Sequence, residues 1–178
     1  MRPVTIARNY AEALFQLGEE SGRTTEYADL LDAVAHAIET TPRIEAVLMS
    51  PRITKAAKSQ ILAQALPEAP REFVLFLQSV VKRGRQRLFG MMASEFLALL
   101  DIKLDRVRAK VTVAREVDDK LRKKIAQDLT KAIGKQVLPD FDVDPDILGG
   151  VIVRVGDRVY DGSVRRRLVR LRRQLLAR

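Results

Sequence analysis

The sequence predicts a mainly α protein: an N-terminal six-helix bundle over residues 1–105, followed by a small α+β domain over residues 106–178. Three observations carry that expectation. Hydrophobic residues make up 47% of the 178-residue chain, enough to build a packed core. Over the first hundred residues, apolar positions recur at helical spacing between short breaks. After Asp105 the pattern changes to strand-like alternation, with glycine and aspartate at the turns.

The first helix is expected from Thr5 to Glu20, ended by Ser21-Gly22, since glycine suits the left-handed residue that follows a helix. A second pattern from about Thr24 to Thr40 places Tyr27, Leu30, Leu31, Val34, Ala35 and Ile38 at helical spacing. Pro42 opens a short third helix reaching Leu48, because the first helical N–H has no partner to lose. Met49-Ser-Pro-Arg52 is a turn, and Thr54 caps a fourth helix to Leu66. Pro67 and Pro70 frame the next loop. A fifth helix runs from Arg71 to Lys82, and Arg83-Gly-Arg85 breaks it before a sixth from about Gln86 to Leu104. Six short-looped helices of this length make a bundle.

In the second part, Val107 to Ala114 reads as a strand, and Asp118-Asp119 cap a helix ending at Gly134. Gln136 to Val143 is an edge strand or a loop, because Pro139 interrupts its alternation. Gly150 to Val155 and Arg158 to Tyr160 are strands joined by the turn Gly156-Asp157. Asp161-Gly162 turns the chain again, and Ser163 caps a last helix to Leu176. No Gly/Ser-rich linker separates the two parts.

The net charge of +9 sits at one end. Residues 1–105 carry 13 basic and 13 acidic side chains, whereas residues 106–178 carry 19 and 10. The last sixteen residues hold seven arginines (165, 166, 167, 170, 172, 173 and 178) and no acid, so that end calls for an acidic partner. No run approaches the roughly 20 apolar residues that cross a bilayer; the densest, Phe73 to Leu77, stops at Gln78-Ser79. The opening residues lack a secretory hydrophobic core, and no Arg/Ser-rich transit segment is seen, so the expectation is a bacterial cytoplasmic protein that begins at or near Met1.

Two helices have more apolar surface than a bundle position needs. At ~100° per residue, Ile6, Tyr10, Ala13, Leu14 and Leu17 form one stripe of the first helix, with Ala7, Ala11, Phe15 and Gly18 beside it. Together they cover roughly 200°, where a surface helix needs a stripe of about 100°. On the fifth helix Phe73, Val74, Phe76, Leu77, Val80 and Val81 span about half the circle. Two readings fit: central helices buried on several sides, or helices that keep one stripe as a groove for a partner's amphipathic helix. On the last helix Val164, Leu168, Leu171 and Leu175 form a narrow stripe expected to pack on the strands. Arg166, Arg170 and Arg173 stand opposite it, either solvated or docking an acidic helix.

Catalytic chemistry is not expected. Without cysteine there are no disulfides, thiolate metal sites or cysteine nucleophiles. His36, the sole histidine, lies mid-helix between Ala35 and Ala37, and no acidic grouping has metal-ligand spacing. Gly149-Gly150 precede a strand where a dinucleotide loop needs a helix N-terminus. Gly149, Gly150 and Gly156 therefore read as turn and close-packing positions, Asp157 and Asp161 as turn residues bonding nearby amides, and Ser163 as a helix cap. No cofactor or metal is expected. The rival from another class is a basic nucleic-acid-binding helical protein gripping phosphates through Arg83-Gly-Arg-Gln-Arg87 and the C-terminal arginines. Against it, aromatics are 5% of the chain and no stacking platform lies near those arginines.

Ile6-Ala-Arg-Asn-Tyr-Ala-Glu-Ala-Leu-Phe15 resembles the opening of the delta subunit of bacterial F-type ATP synthases, the family of the mitochondrial oligomycin-sensitivity-conferring protein. Gly149-Gly-Val-Ile-Val-Arg-Val-Gly-Asp-Arg-Val-Tyr-Asp-Gly-Ser-Val-Arg165 is similar to that family's C-terminal signature. Ser50-Pro51 and Gly84-Arg85 also fall where the family has them. The resemblance implies a non-catalytic stator subunit that joins the catalytic alpha/beta hexamer to the peripheral stalk. It implies a groove between the first and fifth helices for the N-terminal helices of alpha subunits, here assigned to Tyr10, Ala11, Leu14, Leu77 and Val80. It also implies contact between the C-terminal domain and the b subunits, here assigned to Arg166, Arg170 and Arg173. The chain would be a monomer within the assembly, on the cytoplasmic face of the bacterial inner membrane, touching the membrane only through the complex and binding no nucleic acid. One departure is the last helix, which is denser in arginine than the family leads one to expect.

Overall fold

The structure, a computed structural model, describes residues 2–176. Its elements in chain order are α1 (Pro3–Glu20), α2 (Thr24–Thr40), α3 (Pro42–Met49), α4 (Lys55–Ala65), α5 (Arg71–Lys82), a 3-10 turn (Gln86–Leu88) and α6 (Phe89–Lys103). Then follow β1 (Arg106–Val113), α7 (Asp119–Ile133), β2 (Gln136–Val143), a 3-10 turn (Pro145–Ile147), β3 (Val151–Val155), β4 (Arg158–Asp161) and α8 (Val164–Leu176). The fold is mainly helical, with one small four-stranded sheet.

The chain forms two compact units that divide between Leu100 and Asp101, earlier than the change of sequence period at Asp105. Ion pairing explains the difference. The Asp101 carboxylate accepts from Arg106 Nε at 2.6 Å and from Arg108 Nε at 2.8 Å, so the last turn of α6 is fastened to β1.

In the first unit the six helices enclose one core. Ala7, Ala11 and Leu14 of α1 meet Tyr27 and Leu31 of α2, Phe73, Leu77 and Val80 of α5, and Phe89, Met92 and Phe96 of α6. Thr54 caps α4, its Oγ1 accepting from the Ala57 amide at 3.2 Å. Lys55 Nζ donates to the Lys82 carbonyl at 2.8 Å, satisfying an orphan acceptor at the end of α5.

In the second unit the strand order is β2-β1-β3-β4. β1 and β2 are parallel and joined by α7, while β1–β3 and β3–β4 are antiparallel. The segment left open between strand and loop is a strand: β2 lies at the sheet edge, where Pro139 is tolerated opposite Ala109. Asp118 caps α7 by accepting from the Leu121 amide at 2.8 Å, and left-handed Gly134 ends it. The core is Ala109, Val111, Val113, Val137 and Val153, packed against Ile125, Leu129 and Ile133 of α7.

The last helix departs from expectation. Its stripe Val164, Leu168, Leu171 and Leu175 does not pack on the strands: Leu168 and Leu171 are each 52% exposed and Leu175 is 68% exposed. α7 already covers the buried valines of the sheet, and α8 packs chiefly on the turn Pro145–Ile147.

Candidate docking surfaces

α1 carries two apolar stripes about 100° apart. Ala7, Ala11, Leu14 and Gly18 are buried in the bundle. Ile6, Tyr10, Ala13 and Leu17 are half-buried or exposed, so the bundle leaves this second stripe uncovered. Beside it runs α5, whose Phe73, Leu77, Val80 and Val81 face the core while Ser79 and the following Arg83 do not. A groove of about 580 Å³ results, lined by Ile6, Asn9, Tyr10, Ala13, Phe76, Ser79, Arg83 and Arg85. The Tyr10 ring meets Phe76 edge-on, with centroids 6.2 Å apart. Arg83 Nη1 donates to the Tyr10 hydroxyl at 3.3 Å, an interaction that raises the already high arginine pKa.

Of the five residues expected in this groove, only Tyr10 lines it. Ala11, Leu14, Leu77 and Val80 are fully buried in the bundle core, because they lie on the inward stripes of their helices. The wide face of α5 is that of a central helix, whereas α1 keeps a spare stripe. Helical spacing places Ile6 and Ala13 on the stripe of Tyr10; Arg83 and Arg85 read in the sequence as a helix break, or as a phosphate grip in the nucleic-acid alternative, and give no signal of a groove rim.

The second surface grows from the glycine-rich C-terminal run. The Val164 amide donates to the Gly149 carbonyl at 3.0 Å, and the Gly162 amide to the Val151 carbonyl at 2.9 Å. Asp161 Oδ1 accepts from the Ser163 amide at 2.9 Å, and Ser163 Oγ, itself buried, caps α8 by accepting from the Arg166 amide at 3.1 Å. Gly150 has φ +78, and a Cβ there would collide with the Gly162 carbonyl oxygen. The Asp161 carboxyl is held below the ordinary carboxylate range, first by the Ser163 amide, with Arg166 at 3.8 Å adding to it. Gly156 and Asp157 form the exposed β3–β4 turn, but the Asp157 carboxylate bonds no amide among the described residues.

This clasp fixes only the start of α8. Beyond it the helix presents exposed Leu168, Val169, Leu171, Leu175 and Leu176 together with Arg165, Arg166, Arg167, Arg170, Arg172 and Arg173. Among the described residues only Arg166 of these arginines has an ion-pair partner, Asp161. Arg166, Arg167 and Arg170 join Val151, Val153, Val159 and Tyr160 around a hollow of about 620 Å³, while Arg173 borders a smaller one of about 400 Å³ with Val169 and Gln174. Arg178 lies outside the described residues. His36 is exposed on α2. Among the described residues no group of His, Cys, Asp and Glu could hold a metal ion, and no helix is long and apolar enough to cross a membrane.

A profile of the ATP synthase delta (OSCP) subunit family matches residues 6–175. The chain belongs to that family. The ATP synthase subunit delta of Gemmatimonas aurantiaca is 48% identical to this delta-family chain over 172 residues, covering 96% of this chain and 93% of the relative. Those of an Anaeromyxobacter species and of Desulforamulus reducens are 41% and 34% identical, covering 96% and 97% of this chain and 97% and 96% of the relatives. A chain in the cryo-EM structure of the Toxoplasma gondii mitochondrial ATP synthase hexamer shares the fold, with a TM-score of 0.72 at 20% identity, covering 97% of this chain and 98% of that one. The delta-family chain is thus a non-catalytic stator subunit of an F-type ATP synthase, a membrane-associated complex. The nucleic-acid reading finds no support in these relatives.

Proposed function

We propose that the α1/α5 groove takes up the N-terminal helix of an alpha subunit, and that α8 with the β3–β4 hairpin takes up an acid-bearing C-terminal segment of the b subunits. The chain would then tie the catalytic hexamer to the peripheral stalk, as a single copy on the cytoplasmic face of the bacterial inner membrane. The uncovered stripe Ile6, Tyr10, Ala13 and Leu17 carries the first half of this reading. It has the i, i+4, i+7, i+11 spacing that an amphipathic helix meets in a groove, and Ala13 is small enough for close backbone approach. The unneutralised arginines and exposed leucines of α8 support the second half, because each kind of surface is improved by an acidic amphipathic partner. Two moderate contacts on one assembly hold against torque through effective concentration, without either being very tight.

Titrating the full chain with a synthetic peptide of the alpha-subunit N-terminal segment tests the groove. Ala13→Glu is the informative variant: Ala13 is exposed, so the fold loses only a few tenths of a kcal/mol of helix propensity, whereas docking must bury the new carboxylate. Tyr10→Ala is less clean, because it also removes the Phe76 contact. The expected result is at least roughly tenfold weaker binding for Ala13→Glu. Unchanged affinity removes the groove assignment.

A further inference from the structure

The groove has two unlike ends. Gly18 near the end of α1 and Phe73 near the start of α5 both meet Tyr27, whereas Tyr10 meets Phe76 and Arg83. The two helices therefore run antiparallel, and the Ile6 end of α1 lies beside the turn that follows α5. That turn is rigid. The Gly84 amide donates to the Val81 carbonyl at 2.9 Å and the Arg85 amide to the Val80 carbonyl at 3.0 Å, with Gly84 at φ +71, a Schellman closure of α5. It presents Arg83 and Arg85 to the groove from a fixed backbone.

Neither arginine has an ion-pair partner among the described residues; Arg83 rests on the Tyr10 hydroxyl. The first turn of α1, at the same end, contains no acidic residue to offset its dipole. One end of the groove, whose remaining lining is apolar but for Asn9 and Ser79, is thus cationic and uncompensated.

We propose that the groove reads its helix directionally: the apolar stripe of the docked helix lies over Tyr10, Ala13 and Phe76, and carboxylates on one terminal turn lie at Arg83 and Arg85. This rests on the groove assignment above and specifies the chemistry of the occupant, an amphipathic helix with one acidic end. Arginine suits the task, since its planar fork pairs with a carboxylate through two hydrogen bonds. A helix with lysine or arginine at that end is repelled, which fixes register as well as choice of partner.

The test uses the full chain, the alpha-subunit N-terminal peptide, and three variants: Arg83→Glu/Arg85→Glu together, Arg85→Glu alone, and Ala13→Glu. At low salt the double reversal should weaken binding by roughly tenfold or more, the single reversal by less, and both losses should shrink as salt rises. A peptide whose terminal carboxylates are changed to lysine should bind the double variant better than it binds wild type. Arg83 is exposed and Arg85 half-buried, and thermal unfolding of each variant checks that the bundle is intact. Equal affinity of wild type and double variant, or tight binding of a peptide with no carboxylate on either terminal turn, overturns the directional reading while a loss in Ala13→Glu keeps the groove. If wild type does not bind the peptide, or Ala13→Glu binds it normally, the groove assignment itself falls.

Discussion

Replacing Gly150 with alanine probes the clasp from which α8 departs. Two costs add at this position. The backbone is left-handed at φ +78, which costs an alanine about 1–2 kcal/mol. In addition, the new Cβ meets the Gly162 carbonyl oxygen well inside contact distance and lies 3.2 Å from Ser163 Cα. The Asp161–Ser163 turn must then shift, at an overpacking cost of about 1–3 kcal/mol. Gly156→Ala is the internal control: its φ is +56, but nothing lies within 4 Å of the added carbon, so it pays the backbone cost alone. Both changes reduce the freedom of the unfolded chain equally, and that effect cancels in the comparison. The second unit has a small buried core, so a loss of about 2–5 kcal/mol approaches its whole stability. Urea unfolding followed by NMR at Val151 and Val153 reads this unit directly. Gly150→Ala should unfold at clearly lower urea than Gly156→Ala. Coincident midpoints would refute the argument that close approach, rather than the turn conformation, requires glycine in this run.

Asp101→Ala should destabilise the second unit by about 2 kcal/mol, because it leaves the largely buried Arg106 guanidinium without its acceptor at 2.6 Å; a thermal melt compared with Asp101→Asn checks this. Asp161 supplies a pH dependence of known sign. Its folded-state pKa lies below the ordinary 3.8, so its contribution is complete above that value and is lost as pH falls through the lower folded value. The Ser163 amide resonance should therefore move with a midpoint below the ordinary 3.8, and Asp161→Asn should abolish the movement. Changing Arg166, Arg170 and Arg173 together to glutamate should eliminate copurification with full-length b subunits at physiological salt, while the bundle keeps its affinity for the alpha-subunit peptide.

Several helices of the first unit were legible because they are bounded by residues with a local mechanism: Pro42, Thr54 and Gly22 do their work within one turn of themselves. β2 was less so, because Pro139 is informative only once the strand is known to be an edge. The groove was half legible. Helical periodicity shows that α1 has two apolar stripes, but not which of them the bundle buries. That choice depends on the long-range partners Tyr27, Phe73 and Phe96, and it sent Ala11 and Leu14 inward and left Ile6 and Ala13 at the surface. The cationic rim was illegible, since Arg83 reaches Tyr10 across 73 positions of sequence. For α8 the pattern misled: a clean apolar stripe implied packing on the sheet, yet α7 already occupies that core, and the stripe is left exposed.

A stator-depleted ATP synthase, rebuilt with this chain and its variants and then separated on an immobilised hexamer, tests the central claim most directly. Wild type should retain both the hexamer and the b subunits. Ala13→Glu should keep the b subunits and release the hexamer, and the Arg166/Arg170/Arg173 reversal should do the opposite. Retention of both partners by both variants would contradict an account in which two separate surfaces of this chain hold the complex together.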